Sequence, residues 1–141
     1  MDLIAFIDGG ARGNPGPAAI GVTVRDKSDA VIFEEGKTIG RGTNNEAEYL
    51  ALIHLLEWAA GSEHNSSKTT LRVHCDSLLI VSQVTGKWKI KEPRLKDLFD
   101  RVQELKKPLR MTLRIQHVPR ERNKRADELV NLALDGGGAK E

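Results

Sequence analysis

The chain has 141 residues, of which 39% are hydrophobic and 30% charged, with a formal net charge of +2; that composition suits one soluble domain with a real core. The longest early apolar run, Leu3 to Ile7, is too short for a signal-peptide core or a membrane span, so no membrane association is expected. A single cysteine, Cys75, excludes an intramolecular disulfide and fits a reducing, cytoplasmic setting, with the thiol buried as a small hydrophobe.

Residues 3–8 read as a strand buried on both faces, because its apolar run is continuous and ends at Asp8. Gly-Asn-Pro-Gly-Pro (13–17) is a turn cluster, since Pro presets φ and Gly permits positive φ. Residues 19–25 and 31–39 are strand candidates joined by Asp26-Lys27-Ser28-Asp29, a meander with the first strand. The clearest helix covers 44–60, with Thr43 as N-cap and Glu46 completing a capping box. It is apolar nearly all round and should be largely buried. A fourth strand spans 70–75 and a short helix follows Ser77. Pro93 opens a helix that runs to about Lys107 and is stopped by Pro108. Residues 110–118 alternate in polarity, as expected of a half-buried strand near a sheet edge. The last helix runs from about Asn123 to Asp135, and a glycine-rich tail, 136–141, follows the expected domain, 1–135.

Four acids stand out from this frame: Asp8, Glu48, Asp76 and Asp127. Two sit at strand ends and two just inside helices. Such positions build core poorly and suit a hard divalent cation, which takes oxygen ligands. Two such ions about 4 Å apart clamp an in-line phosphoryl displacement. Each acid also has a plainer reading: Asp8 as a turn former, Asp76 as a helix cap, Asp127 as a charge favoured by the helix dipole. Glu46 and Glu48 lie about 200° apart on their helix, so only one can face a given site. Glu48 shares its face with Ala51, Leu52, Leu55 and Ala59, where a lone charge would be costly and a metal would compensate it.

The blocks FIDGGARGNPGPAAIG (6–21), TNNEAEYLAL (43–52), CDS (75–77) and ERNKRADELVNLA (121–133) each carry one of these acids. Together, in this order, they resemble type 1 ribonuclease H. The resemblance implies an α/β fold of ribonuclease H type, with a five-stranded mixed sheet, three strands antiparallel and the last two parallel to the first, flanked by helices. It implies endonucleolytic hydrolysis of the RNA strand of an RNA–DNA hybrid, leaving 5′-phosphate and 3′-hydroxyl ends. Two Mg²⁺ ions are implied as cofactors, with Mn²⁺ a substitute. Asp8 would bridge both ions, Asp127 would share the one that activates water, and Glu48 and Asp76 would hold the one at the leaving oxygen. No obligate protein partner is evident, and a monomer is expected. Rival readings are a non-catalytic hybrid-binding module and an integrase-like or resolvase-like DNA nuclease; the presence of all four acids opposes the first, and the 13–17 and 43–48 blocks oppose the second.

Charge distribution adds a footprint. Residues 87–125 hold 14 Lys/Arg against 5 Asp/Glu, a net of +9, while the rest nets −7. Candidate nucleic-acid contacts are Asn14, Thr43, Asn44, Lys87, Trp88, Lys89, Arg120 and Arg122. Trp88 among lysines could stack on a base, or simply pack; turn-making accounts for Asn14 almost as well. The chain departs from the family in two places. No room exists after Val84 for the extra basic helix of the long form, and the loop 119–123 lacks the histidine many members carry, leaving an arginine as a partial substitute.

Overall fold

The structure is a computed structural model that describes residues 1–136; residues 137–141 of the expected tail lie outside the described residues. Five strands, β1 (Asp2–Ala11), β2 (Gly16–Arg25), β3 (Val31–Gly42), β4 (Thr70–Cys75) and β5 (Thr112–His117), form one sheet in the order β3-β2-β1-β4-β5. The β1–β2 and β2–β3 pairs are antiparallel, and β4 and β5 join parallel to β1. The expected α/β architecture is thus present. Helices α1 (Asn44–Gly61), α2 (Leu78–Val84), α3 (Pro93–Lys106) and α4 (Lys124–Leu134) cover it, with a 3-10 turn at Arg120–Arg122 ahead of α4.

Local signals explain α1. Thr43 Oγ1 accepts from the Glu46 amide at 3.1 Å, and Glu46 Oε1 accepts from the Thr43 amide at 2.8 Å, so two otherwise unpaired donors of the first turn are satisfied. Good helix formers then follow without a proline. Tyr49, Leu52, Leu55, Leu56 and Ala59 are fully buried against Leu3, Ala5 and Ile7 of β1, as the all-round apolar pattern predicts.

Three details differ from the sequence reading. β1 does not end at Asp8; it continues through Gly9, Gly10 and Ala11, which pair with Ile20, Ala19 and Ala18. Asp8 is therefore a mid-strand residue, opposite Gly21. β2 begins three residues early, at Gly16, and β3 extends to Gly42, because the long hairpin stays paired to its ends. Finally, β1 is fully buried on one face only. Leu3, Ala5 and Ile7 lie under α1, whereas Ile4 and Phe6 are half-buried. The cause is the position of α4, which packs on β1, β2 and β3 and leaves the β4–β5 end of that face open.

Candidate active site

Even-numbered residues of β1 face α4: a Cβ on Gly10 would meet Val130 of that helix, while one on Gly9 would collide with the α1 backbone. Asp8 thus points from the sheet toward α4. Asp76 is the residue after β4, the parallel neighbour of β1, so its carboxylate meets that of mid-strand Asp8 where β4 ends. Glu48 arrives from α1, where its Oε1 accepts the Gly9 amide at 2.9 Å. Oxygens of Asp8, Glu48 and Asp76 all lie within 4.8 Å of one another.

Glycine makes this approach possible. A Cβ at Gly9 would stand 2.2 Å from the Ala47 carbonyl carbon, so only glycine lets the first turns of α1 touch β1. Across the sheet, Gly21 and Gly36 pair with each other and form a trough for α4. Added Cβ atoms there would stand 2.2 Å from Ala126 O and 2.6 Å from Leu129 O. Arg125 closes the seat: its Nε and Nη2 donate to the two oxygens of Glu34 on β3, at 3.1 and 2.6 Å, and Thr23 donates to the same carboxylate at 2.9 Å. Its guanidinium, first of all, holds the Glu34 carboxyl below the usual range. Asp127, two residues on, is brought to the cleft beside Asp8.

Electrostatics show what the cluster lacks. Burial, followed by the charges of Asp76 and Asp127, pushes the Asp8 carboxyl up to about 8. Asp127 lines the same cleft as Asp8, outside the close group of three. Glu48 is likewise held well above its ordinary value, by burial first and then by Asp8 and Asp76. Three carboxylates this close, with Asp127 in the same cleft, form a concentrated negative centre, and the arginines Arg12 and Arg120 stand in the cleft lining. An all-oxygen, part-buried donor set of this kind fits a hard divalent cation. Cys75 lies under the cluster, and burial pushes its thiol up, so it is no nucleophile.

The plainer readings of Asp8 and Asp76 meet specific geometry. Ser77, not Asp76, caps α2, accepting the Ile80 amide at 3.3 Å. Asp8 makes no turn. Glu46 is occupied by the capping box and approaches Arg94 at 3.6 Å, leaving the cleft to Glu48.

Residues around the acids form a cleft of about 320 Å³ lined by Asp8, Gly10, Arg12, Asn44, Glu48, Arg120, Asp127 and Asn131, among others. Asn14 Oδ1 accepts the Asn44 amide at 3.0 Å, and Asn44 Oδ1 accepts the Ala11 amide at 2.9 Å, so both side chains tie the 12–15 turn to α1 at the rim. Thr43 is engaged as the cap. Arg120 reaches the cleft from the loop where the family histidine is missing; Arg122, in the same turn, is exposed. Lys87, Trp88 and Lys89 stand apart from the cleft, between α2 and α3. Trp88 is 47% exposed, not packed in the core, and its amide and that of Lys87 donate to Ser82 O at 3.0 and 2.8 Å.

One site residue escaped the sequence reading. Asn123 is 1% exposed, and its Nδ2 donates to Ile7 O at 2.8 Å and to Asp76 Oδ2 at 3.1 Å. Read simply as the start of α4, it makes no side-chain cap there. Its position before a helix was visible, but its partner, 47 residues away, was not.

The reverse transcriptase-like family matches residues 6–133. Ribonuclease H of Jannaschia sp. is 31% identical, over 94% of this chain and 91% of its own length. The chain belongs to the ribonuclease H family. Ribonuclease HI of Halobacterium salinarum is 44% identical over 93% of the chain. The crystal structure of LC11-RNase H1, a compost metagenome protein, in complex with RNA/DNA hybrid superposes with a TM-score of 0.89 at 45% identity, covering 95% of this chain and 97% of that one. The chain spans 36% to 63% of the length of the curated relatives that match it at 41% to 44% identity. Among the described residues, no helix is long and apolar enough to cross a membrane.

Proposed function

We propose that this ribonuclease H-family chain hydrolyses the RNA strand of RNA–DNA hybrids, leaving 5′-phosphate and 3′-hydroxyl ends, with residues 1–135 as the catalytic domain. The observation that carries this reading is the convergence of Asp8, Glu48 and Asp76 within 4.8 Å, with Asp127 lining the same cleft. Two Mg²⁺ ions, replaceable by Mn²⁺, would neutralise the scissile phosphate and lower the pKa of the attacking water. Asp8 would be shared by both, Asp127 would hold the ion on the water side, and Glu48 and Asp76 the ion at the leaving 3′ oxygen. Glu48 would also face the 2′-OH of the scissile nucleotide, which couples chemistry to RNA selectivity.

The protein's own part is to fix these carboxylates before substrate arrives. The Gly9 amide orients Glu48 and the Asn123 amide orients Asp76, so neither must be reorganised during the reaction. Asn14, Thr43, Asn44, Arg120 and Arg122 would contact the hybrid around the cleft, and Lys87, Trp88 and Lys89 would hold it farther out. Arg120, in the cleft lining, would partly substitute for the missing loop histidine. A monomer in the cytoplasm completes the proposal, in keeping with the lone buried thiol.

Incubating the protein with labelled RNA–DNA hybrid, duplex RNA, duplex DNA and single-stranded RNA, each with Mg²⁺, Mn²⁺ or EDTA, tests the reading. Cleavage of the RNA strand of the hybrid alone, abolished by EDTA, is expected. Metal-independent cleavage, or a preference for duplex DNA, would overturn it.

A further inference from the structure

The face of the sheet that carries Asp8 is only half covered. Because α4 sits on β1, β2 and β3, the outer side chains of β4 and β5 remain in the open. Register places them in rows. Phe6, His74 and Gln116 lie side by side across β1, β4 and β5, and one step below them lie Ile4, Arg72 and Arg114. Phe6 and His74 stack with ring centroids 4.6 Å apart, and both are half-buried. Gln116 and Arg114 are exposed.

Arg72 and Arg114 are direct cross-strand neighbours, an arrangement that costs stability when the charges are alike. The acidic surroundings do little to relieve it. Arg72 has a carboxylate of Asp2 at 3.9 Å, which Lys27 also approaches at 3.6 Å, and among the described residues Arg114 pairs with none. Two arginines at paired positions on an open sheet supply guanidiniums complementary to phosphate. Beside it, the Phe6–His74 pair offers ring surface and Gln116 an amide, the combination that holds unpaired bases.

The patch is continuous with the candidate active site. Phe6 precedes Asp8 by two residues and His74 precedes Asp76 by two, on the same face. Arg72 lies four positions before Asp76, about 13 Å along the strand direction. The nucleic-acid strand whose phosphate lies at Asp8 and Asp76 is therefore the one that can run down this face.

We infer that the open β4–β5 face is a second binding surface, for an unpaired RNA segment that continues from the hybrid held in the cleft. Phosphates sit on Arg72 and Arg114, and a base packs against the Phe6–His74 pair beside Gln116. Such a surface would favour hybrids at junctions with single-stranded RNA over fully paired ones. The inference rests on the proposed cleavage of the RNA strand for the identity of the strand, but the surface itself can be tested without catalysis.

The test uses the inactive Asp8→Asn protein and fluorescence anisotropy with four labelled probes: a blunt hybrid, the same hybrid with a single-stranded RNA extension at its 5′ end, one with the extension at its 3′ end, and the single-stranded RNA alone. One of the two extensions should tighten binding about tenfold over the blunt hybrid, the scale of one base contact. In Arg72→Gln/Arg114→Gln that gain should vanish, with blunt-hybrid affinity unchanged, and binding of the RNA alone should weaken by a similar factor. The variant should melt no lower than its parent, since a like-charge pair is relieved; Arg114→Gln alone, with no ion pair to lose, serves if it does. An extension that adds nothing, or a gain that survives both substitutions, would overturn the inference. Failure of the blunt hybrid to bind would count instead against the proposed function, and the RNA-alone arm would still decide the surface.

Discussion

Gly21→Ala should disable the site without touching any acid. The added methyl would lie 2.2 Å from Ala126 O, where ordinary contact begins at 3.4 Å, a shortfall of about 1.2 Å. The obstacle is helix backbone, which cannot rotate away, so α4 must shift outward from the sheet or the sheet must bend. Overpacking of this kind costs about 1–3 kcal/mol of stability. Asp127 follows Ala126 directly and would move with it, away from Asp8. A displacement near 1 Å in a catalytic group costs about 100-fold in rate. The expected outcome is a folded protein, with a lowered urea midpoint, that cleaves hybrid about 100-fold more slowly at saturating substrate. Gly61→Ala is the control: a Cβ there meets nothing within 4 Å, so the end of α1 should gain a few tenths of a kcal/mol, up to about 1, and activity should not change. If Gly21→Ala kept half of the parental rate, the seating of α4 would not be what positions Asp127.

Glu48→Gln should be nearly inactive, whereas Glu46→Gln should cleave normally, because a Gln side chain still completes the capping box; the opposite ranking in the hybrid assay would refute the assignment by helix face. With metal chelated, the raised Asp8 carboxyl makes stability fully present below about pH 4, the unfolded value, and progressively lost as pH rises through about 8. Urea melts from pH 4 to 9 should show that decline, Asp8→Asn should flatten it, and Mg²⁺ should abolish it; a pH-independent midpoint in EDTA would refute the picture. Neutralising Lys87, Lys89 and Lys91 together should flatten the salt dependence of hybrid binding by roughly 0.9 log–log units for each phosphate left without its lysine, whereas Trp88→Ala should weaken binding at every salt concentration with little change of slope. An unchanged slope in the lysine variant would assign the phosphate contacts to Arg120, Arg122, Lys124 and Arg125.

What the chain declares on its own is local. Thr43 and Glu46 sit three residues apart, so their capping box can be read directly, and with it the phase of α1 that turns Glu48 inward. The four acids could be picked out because each lies in a short block with its own turn or helix start. The alternation of 110–118 marked an edge strand, since one face of β5 lies against the core and the other is open. Tertiary structure alone decided how those pieces meet. Whether β1 stops at Asp8 depends on its hydrogen bonds to β2, not on Gly9 and Gly10 themselves. Gly21 and Gly36 read as weak strand residues until α4, far along the chain, settles its backbone against them. Asn123 becomes a support for Asp76 only when the chain brings β4 beside the start of α4. The open β4–β5 face exists because α4 covers three strands and not five. Each of these depends on the distance between backbones far apart in the chain, and a residue's type and immediate neighbours do not encode that distance.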